Sequence, residues 1–439
     1  MDTAKPISNT SMTAVPANST LYQNRYVQYA LSILIFIPAL VYFIKVNEYA
    51  VNIPYVDDYN AILDFLSQFK TASVGDKFLL LFSQHIDHRI FHSRVVYAIY
   101  YYIFGKINFI HITVLGNLQL VVIFLILVHF IRKAIPDYWK IAALIAGICI
   151  FDLSNYENAT IAMFGMQNYG VIMLFLLSLF FFTKRGVKYA ILGIAFEFTT
   201  IFSSSNGMFF ALFIFLFLLP QKDKRRAIAS GITLLVFSAL FLTNFTRATS
   251  TTESFSFLGD MRFFLLMIGS HFSYTYGVLF GGLILAILIV LLPITVKSRK
   301  MAIKEDTLPL VCTAAALLVA IILVSIFRSG LRGPVGAYSS HYLILSHLVV
   351  ALAFVFFWIR FQGNKIAWPV TIAGTILLLI AYKTNYEYGN GCMAIIRDKK
   401  VNVPYCYGQS SDYQAMGKVI AEKACTLDIY CIQDYTNFR

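Results

Sequence analysis

Apolar residues occur in long runs that recur from residue 27 almost to residue 383, separated by short polar segments. A hydrocarbon core about 30 Å thick needs roughly 20 apolar residues per helix, whereas membrane β-strands would show alternating polarity over about 10 residues. The pattern therefore predicts an all-α polytopic membrane protein with about 11 transmembrane helices. The expected spans are 27–46, 109–131, 141–153, 168–182, 189–202, 208–219, 228–245, 273–295, 309–327, 342–359 and 367–382.

Lysine and arginine residues collect in short loops between these runs, at 132–140, 184–188, 222–226, 297–304 and 360–365. Basic residues beside membrane helices stay in the cytoplasm, so the intervening loops face outward. An odd number of crossings in a bacterial inner membrane puts the N-terminus in the cytoplasm and the C-terminus in the periplasm. This placement explains the formal net charge of +13 without a nucleic-acid partner, and the expected partners include membrane lipids.

Three regions follow from this topology. Residues 1–25 are polar and predict a disordered cytoplasmic start, 26–383 form the transmembrane domain, and 384–439 form a periplasmic tail that contains cysteines. The first periplasmic loop, 47–107, is long, and apolar residues at helical spacing in 64–69 and 78–96 predict amphipathic helices lying on the membrane. Segment 91–104 is read as an interfacial helix, because a crossing there would reverse every later loop.

Four of the six cysteines lie in the tail, namely Cys392, Cys406, Cys425 and Cys431. They permit two disulfides, and their three pairings stay open. Such bonds persist in an oxidising compartment, which agrees with a periplasmic tail; free thiols in a cytoplasmic tail are the alternative.

Two adjacent carboxylates, Asp57 and Asp58, follow the first span at the start of the long outer loop. A hydroxyl group that attacks a carbon centre needs a base to accept its proton, and a carboxylate commonly does so in glycosyl chemistry. Asp57 is the expected catalytic base, and Asp58 would orient an acceptor or bind a divalent cation. The alternative is that the pair only begins a solvated loop or caps a helix.

Three histidines later in this loop, His85, His88 and His92, recur at intervals of three and four residues. On a helix they would share one face, with Arg89 near its edge. Arginine suits a phosphate through its planar fork of donors, so His85, His88 and Arg89 are candidate phosphate or substrate contacts. No metal site is predicted, because structural zinc needs four nitrogen or sulfur ligands; plain interfacial packing is the remaining alternative.

Further candidate contacts lie in the later outward loops: Glu157, Arg328, Arg332 and His341. Ionisable residues at membrane depth are costly, which favours a functional role, and either arginine suits a lipid phosphate. A loop salt bridge or a helix-end anchor is the alternative for each residue.

The sequence of the first outer loop resembles that of the GT-C glycosyltransferase superfamily. The resemblance comes from Asp57-Asp58-Tyr59 and from Gln84-His85-Ile86-Asp87-His88-Arg89-Ile90 before an apolar stretch, and weaker similarities occur at 155–158, 205–207 and 332–342. The size and outward tail also resemble the serotype-converting O-antigen glucosyltransferases of the Gtr type. The relatives often carry Asn-Glu before the His-Arg pair and Trp after the carboxylates, where this chain has Ile86-Asp87 and Tyr59.

The resemblance implies an inverting hexosyltransferase with a GT-C-like fold. Its donor would be a polyprenyl-phosphate-linked sugar, glucose or another hexose, and its acceptor an O-antigen or other cell-surface glycan on the periplasmic face. Asp57 matches the position of the family's base, and no cofactor beyond an optional divalent cation is expected. The alternatives are an O-antigen polymerase or ligase, which acts on the same lipid-linked glycans, and a flippase or transporter.

Overall fold

The structure, a computed structural model, describes residues 24–246, 256–272, 275–297, 306–362, 364–403, 405 and 411–431, without the side chains of 293–297, 331 and 332. The region expected to be a disordered start therefore lies almost wholly outside the described residues. The helices of the described residues are α1 Arg25–Leu34, α2 Ile37–Tyr49, α3 Phe65–Thr71, α4 Val74–Phe82, α5 Phe91–Phe104, α6 Phe109–Ala134, α7 Trp139–Ile150, α8 Tyr156–Thr160, α9 Ala162–Phe182, α10 Val187–Ile201, α11 Gly207–Leu218, α12 Lys224–Leu242, α13 Phe257–Gly269, α14 Gly277–Lys297, α15 Leu308–Arg332, α16 Leu343–Phe361, α17 Ala367–Asn402 and α18 Ser411–Thr426.

Each expected span coincides with a helix, because a run of apolar residues can enter lipid only if its backbone groups bond within the segment. Eight helical segments are long and apolar enough to cross a membrane, and Gly207–Leu218 and Gly277–Leu292 are shorter apolar helices. The prediction of an all-α polytopic membrane protein is confirmed.

The spans differ in how deeply they lie within the protein. In the most apolar stretch of each segment, 78% of the residues of Ser340–Phe361 and 72% of those of Trp139–Thr160 are buried. The corresponding shares are 17% for Arg25–Tyr49 and 22% for Lys224–Leu242. The first two segments therefore form the centre of the bundle, and the last two expose apolar side chains to lipid. Glycine allows a close contact between α13 and α14, since a Cβ at Gly269 would overlap the backbone of Gly277 at the start of α14.

Residues 47–107, the expected first outer loop, fold into a π-helix at Tyr59–Asp64, then α3, α4, a short antiparallel hairpin and α5. The hairpin pairs Gln84 with Arg89 and His85 with His88, so the helix predicted over 78–96 is interrupted. The prediction that His85, His88 and His92 share one helical face is therefore wrong. Helix α5 forms as expected over 91–104 and packs against α9.

The tail begins as a continuation of the last span and then folds back on the first outer loop. Helix α17 runs unbroken for 36 residues, so the domain boundary expected at residue 383 falls inside it. After α18, the N–H of Ile107 donates to the carbonyl of Ile429 (2.9 Å) and the Tyr430 hydroxyl donates to the carbonyl of Asn52 (2.7 Å). The tail thereby closes both ends of the loop.

One of the disulfides that the tail cysteines permit is present, between Cys425 and Cys431. Cys392 is a free, half-buried thiol on α17. Cys406 lies outside the described residues.

Candidate functional site

A cavity of about 290 Å³ opens where the hairpin of the first outer loop meets α11, α12 and α15. Its polar end is formed by Asp87, His88, Ser205, Asn206 and Arg328. Its remaining wall is almost entirely apolar, formed by Met208, Phe209, Phe241, Leu242, Phe245, Leu323, Val324, Phe327 and Tyr342. Because charge and apolar surface meet in one concavity, the cavity suits an amphipathic ligand with a small polar head.

An ion pair crosses the polar end of the cavity. The Asp87 carboxylate lies 3.7 Å from the Arg328 guanidinium, and the two side chains are 17% and 23% exposed, respectively. The same turn places His88 Nδ1 3.0 Å from the hydroxyl of Ser205, which itself donates to the carbonyl of Asp87. Partial burial strengthens the attraction between these charges relative to that in a surface pair. The exposed part of the Arg328 guanidinium can bind an anion.

The protonation state of His88 is set by its surroundings. Burial, together with the positive charge of Arg328, lowers the pKa of His88 from its usual 6.5 to about 4. The imidazole is therefore neutral at physiological pH, and it offers hydrogen bonds rather than a second positive charge.

This pKa shift gives a pH dependence of stability. The folded-state pKa of His88 lies below the unfolded-state value, so its contribution to stability is complete above pH 6.5 and is lost as the pH falls toward about 4. We expect the thermal midpoint of the purified protein to fall less over this range in His88→Asn than in wild type. Equal falls in both proteins would contradict the neutral, half-buried imidazole.

A second ionisable pair, Glu157 and His341, borders the cavity. His341 Nδ1 lies 2.7 Å from the Glu157 carboxylate, which also accepts the backbone N–H of His341 at 3.2 Å. The His341 ring contacts the ring of Tyr342, which lines the cavity, at a centroid distance of 4.1 Å. This carboxylate and imidazole can orient a hydroxyl or relay a proton beside the cavity.

The adjacent carboxylates of the first outer loop have different environments. Asp58 is fully buried and accepts backbone N–H groups from Met163 (2.8 Å) and Tyr55 (3.1 Å). Burial raises the pKa of Asp58 to about 6, while the nearby charge of Lys400 opposes the shift. Since Met163 lies in the first turn of α9, Asp58 joins the loop to the N-terminus of that helix.

Asp57, in contrast, is half-buried and follows a backbone irregularity. Val56 has a φ of 44°, a region that β-branched residues rarely adopt, and the π-helix begins two residues after Asp57. The other β-branched residue of this loop with positive φ, Ile86 at 49°, directly precedes Asp87. Such outliers cost about 1–3 kcal/mol each and cluster at functional sites.

Asp57 is not among the described residues that line the cavity, but its turn lies near the Glu157–His341 pair. Phe164, which follows Met163, packs its ring on that of His341 at a centroid distance of 5.3 Å. The Asp57–Asp58 turn and the Glu157–His341 pair therefore both border the first turn of α9.

Two of the predicted phosphate contacts lie outside the described cavity lining. The Arg89 guanidinium donates to the carbonyls of Phe82, Phe241 (2.9 Å) and Thr243 (2.6 Å), which ties the hairpin to the end of α12. His85 is 7% exposed, and burial, together with the nearby charge of Arg94, lowers its pKa to about 3. The side chain of Arg332 lies outside the described residues.

Asp87 and Ser205 complete the polar end of the cavity and were not among the predicted site residues. Asp87 lies within the His-Ile-Asp-His-Arg segment, of which only the histidines and the arginine were predicted as site residues. The signal that could have found it is the similarity to the family segment, since Asp87 occupies the place of the acidic residue before the His-Arg pair.

No family model matches the chain, and no curated protein matches it. A functional assignment therefore depends on the cavity and on the residues around it.

Proposed function

We propose that this protein is a membrane glycosyltransferase that moves a sugar, glucose or another hexose, from a polyprenyl-phosphate donor to an O-antigen or other cell-surface glycan. The observation that carries the proposal is the cavity, whose apolar wall meets a polar end containing Arg328, Asp87 and His88. A lipid-linked phosphosugar has the same division into an apolar chain, a compact anion and a polar sugar.

The donor would bind with its phosphate beside Arg328. Arginine presents five N–H donors in a fork, so its guanidinium can hold Asp87 and a phosphate oxygen together. A cavity of about 290 Å³ is at the small end of ligand pockets, which suits the phosphosugar and the first part of the chain. The rest of the chain would lie in lipid along α12, most of whose apolar window is exposed.

In the proposed transfer step the carboxylates have separate roles. Asp57 accepts the proton of the acceptor hydroxyl, whose oxygen attacks the anomeric carbon as the bond from that carbon to the phosphate oxygen breaks. The leaving polyprenyl phosphate takes the bonding electrons, and Arg328 stabilises its charge. Attack opposite the phosphate inverts the anomeric centre, with Glu157 and His341 orienting the acceptor.

The proposed topology has eleven crossings and a GT-C-like arrangement in a bacterial inner membrane. It combines the eight long apolar segments and the two shorter apolar helices with α10. The N-terminus would be cytoplasmic, while the first outer loop, the cavity and the tail would be periplasmic.

The activity is tested by expressing the protein in a bacterial host that displays a defined O-antigen, then comparing the polysaccharide by mass spectrometry and NMR. We expect new hexose side residues on chains of unchanged length. Longer chains without side residues would indicate a polymerase instead, and an unaltered polysaccharide in hosts of several O-antigen types would contradict the proposal.

Arg328→Ala is expected to weaken binding of undecaprenyl phosphate to the purified protein by about 10- to 100-fold, since hydrogen bonds to charged groups contribute about 1.5–3 kcal/mol. Binding is measured as the thermal shift during a titration, with undecaprenol as the lipid that lacks the phosphate. Arg360→Ala, at the end of α16, is the matched control and should bind like wild type. Equal binding by Arg328→Ala and wild type would remove Arg328 from the donor site.

A further inference from the structure

A second polar cluster lies within the bundle, away from the described lining of the cavity. Asp152 follows α7, His271 follows α13, and His347 lies on α16, and each of the three is 0% exposed. One potential ligand atom from each side chain lies within 4.8 Å of the other two. Three helices thus bring a carboxylate and two imidazoles to one buried point.

His271 lacks the partners that a buried imidazole normally has. Among the described residues, neither of its ring nitrogens has a hydrogen-bond partner, and Nδ1 lies 3.7 Å from the Asp152 carboxylate. An unsatisfied buried polar group costs about 1–3 kcal/mol, so a ligand bound by these nitrogens would stabilise the arrangement.

The carboxylate is already held in a fixed orientation. Asp152 accepts the backbone N–H of Ser154 (2.8 Å) and the side-chain amide of Asn385 (2.9 Å). The same amide of Asn385 also donates to the carbonyl of His271 (3.0 Å). Outer contacts of this kind orient the ligands of metal sites.

We propose that Asp152, His271 and His347 bind a divalent transition-metal ion, with Zn²⁺ as the preferred ion. Two imidazoles and a carboxylate are a donor set that zinc accepts, and three protein ligands leave its fourth position open. Ligand bonds of about 2.0–2.2 Å place the donor atoms roughly 3.3–3.6 Å apart around one ion, against up to 4.8 Å here. His347 Nδ1 lies 3.0 Å from the side-chain amide of Asn155 and Nε2 lies 3.2 Å from the Ser154 hydroxyl, so the ion would replace one of these two hydrogen bonds. Calcium and magnesium are disfavoured because they take oxygen ligands.

The ion would fix the acceptor side of the candidate site. His347 Nε2 lies 3.2 Å from the Ser154 hydroxyl, and the Ser340 hydroxyl donates to the Ser154 carbonyl (2.7 Å). The same Ser340 oxygen accepts the backbone N–H of Glu157 (3.0 Å). An ion that joins the three segments at this point would therefore hold Glu157 in place, and this effect does not depend on the proposed transfer reaction.

The test uses full-length protein purified without a histidine tag and treated with a chelator. We expect equilibrium dialysis with elemental analysis to find about one Zn²⁺ per chain, and Co²⁺ to give a visible absorption band. Asp152→Asn and His347→Gln should lose this binding, and Asn385→Leu should bind about 10- to 100-fold more weakly. His129→Gln is the matched control, a histidine on α6 whose Nε2 also lacks a partner.

Wild-type protein that takes up neither Zn²⁺ nor Co²⁺ would overturn the proposal, and so would binding that both ligand variants retain. If the ligand variants fail to fold, the wild-type titration decides alone, with protection by Zn²⁺ against thermal unfolding as its second readout. A loss of binding in His129→Gln equal to that in His347→Gln would also contradict a site at the cluster.

Discussion

Replacing Asp57 by Asn is expected to lower sugar transfer about 100- to 10,000-fold while leaving the protein folded, because a neutral amide cannot accept the proton of the acceptor hydroxyl. The side chain is half-buried, and Asn keeps its shape, so the turn after Val56 should persist. The rate is measured in membrane vesicles with a polyprenyl-phosphate donor, beside the thermal midpoint of the purified variant.

The matched control for this prediction is Asp76→Asn, which changes an exposed carboxylate of the same loop at the start of α4. It should transfer sugar at the wild-type rate. If Asp57→Asn also retained full activity, the base would have to be sought elsewhere. Glu157→Gln would then be the next variant, since that carboxylate pairs with His341, whose ring contacts Tyr342 of the cavity wall.

Replacing the neighbouring Asp58 by Ala should instead destabilise the fold, by about 2–6 kcal/mol in unfolding free energy, since each buried N–H group left without its acceptor costs about 1–3 kcal/mol. The change leaves the buried N–H groups of Met163 and Tyr55 without their acceptor and removes the charge that faces Lys400. The expected result is a large fall in thermal midpoint and in the yield of folded protein from the membrane.

A double variant separates the effect on stability of losing the Asp58 charge from the effect of losing its hydrogen bonds. Asp58→Ala with Lys400→Met should regain part of the stability lost in Asp58→Ala, because no buried charge is then left unpaired. Wild-type stability in Asp58→Ala would show that the carboxylate does not hold the start of α9. Loss of transfer without loss of stability would instead give Asp58 a direct role in catalysis.

The pH dependence of stability should also depend on Asp58. The folded-state pKa of Asp58, about 6, lies above its usual 3.8, so its contribution is complete below pH 3.8 and is lost as the pH rises through 6. The contribution of Asp58 to stability therefore falls as the pH rises, whereas that of His88 grows. Asp58→Asn should remove the Asp58 contribution to this pH dependence.

Much of the bundle could be predicted from the sequence, because lipid permits few backbone solutions for an apolar run. The eleven expected spans all became helices for that reason. The hairpin at 84–89 could not be predicted, since histidines spaced by three and four residues fit a helix equally well. Its turn depends on positive φ at Ile86, a residue type that rarely marks turns.

The candidate site was only partly predictable, because its residues lie far apart in the sequence. Sequence reasoning chose His88 and Arg328 separately, but the cavity that unites them needs the packing of α11, α12 and α15 against the loop. Arg89 is a residue type that binds phosphate, yet three of its N–H groups donate to backbone carbonyls. Asp152 and His347 each stand alone in apolar sequence, and no local spacing indicates their meeting.

The hydrogen bonds from Ile107 to Ile429 and from Tyr430 to Asn52 join a segment that is synthesised early to one that is synthesised late. Residues 47–107 leave the ribosome early, but the segment that clasps them is made hundreds of residues later. The first outer loop must therefore wait, without its final contacts, until residues 411–431 have been translated and moved to the same side of the membrane. Premature termination anywhere before that point would yield chains with inserted helices but an unclosed loop, which a quality-control protease could recognise.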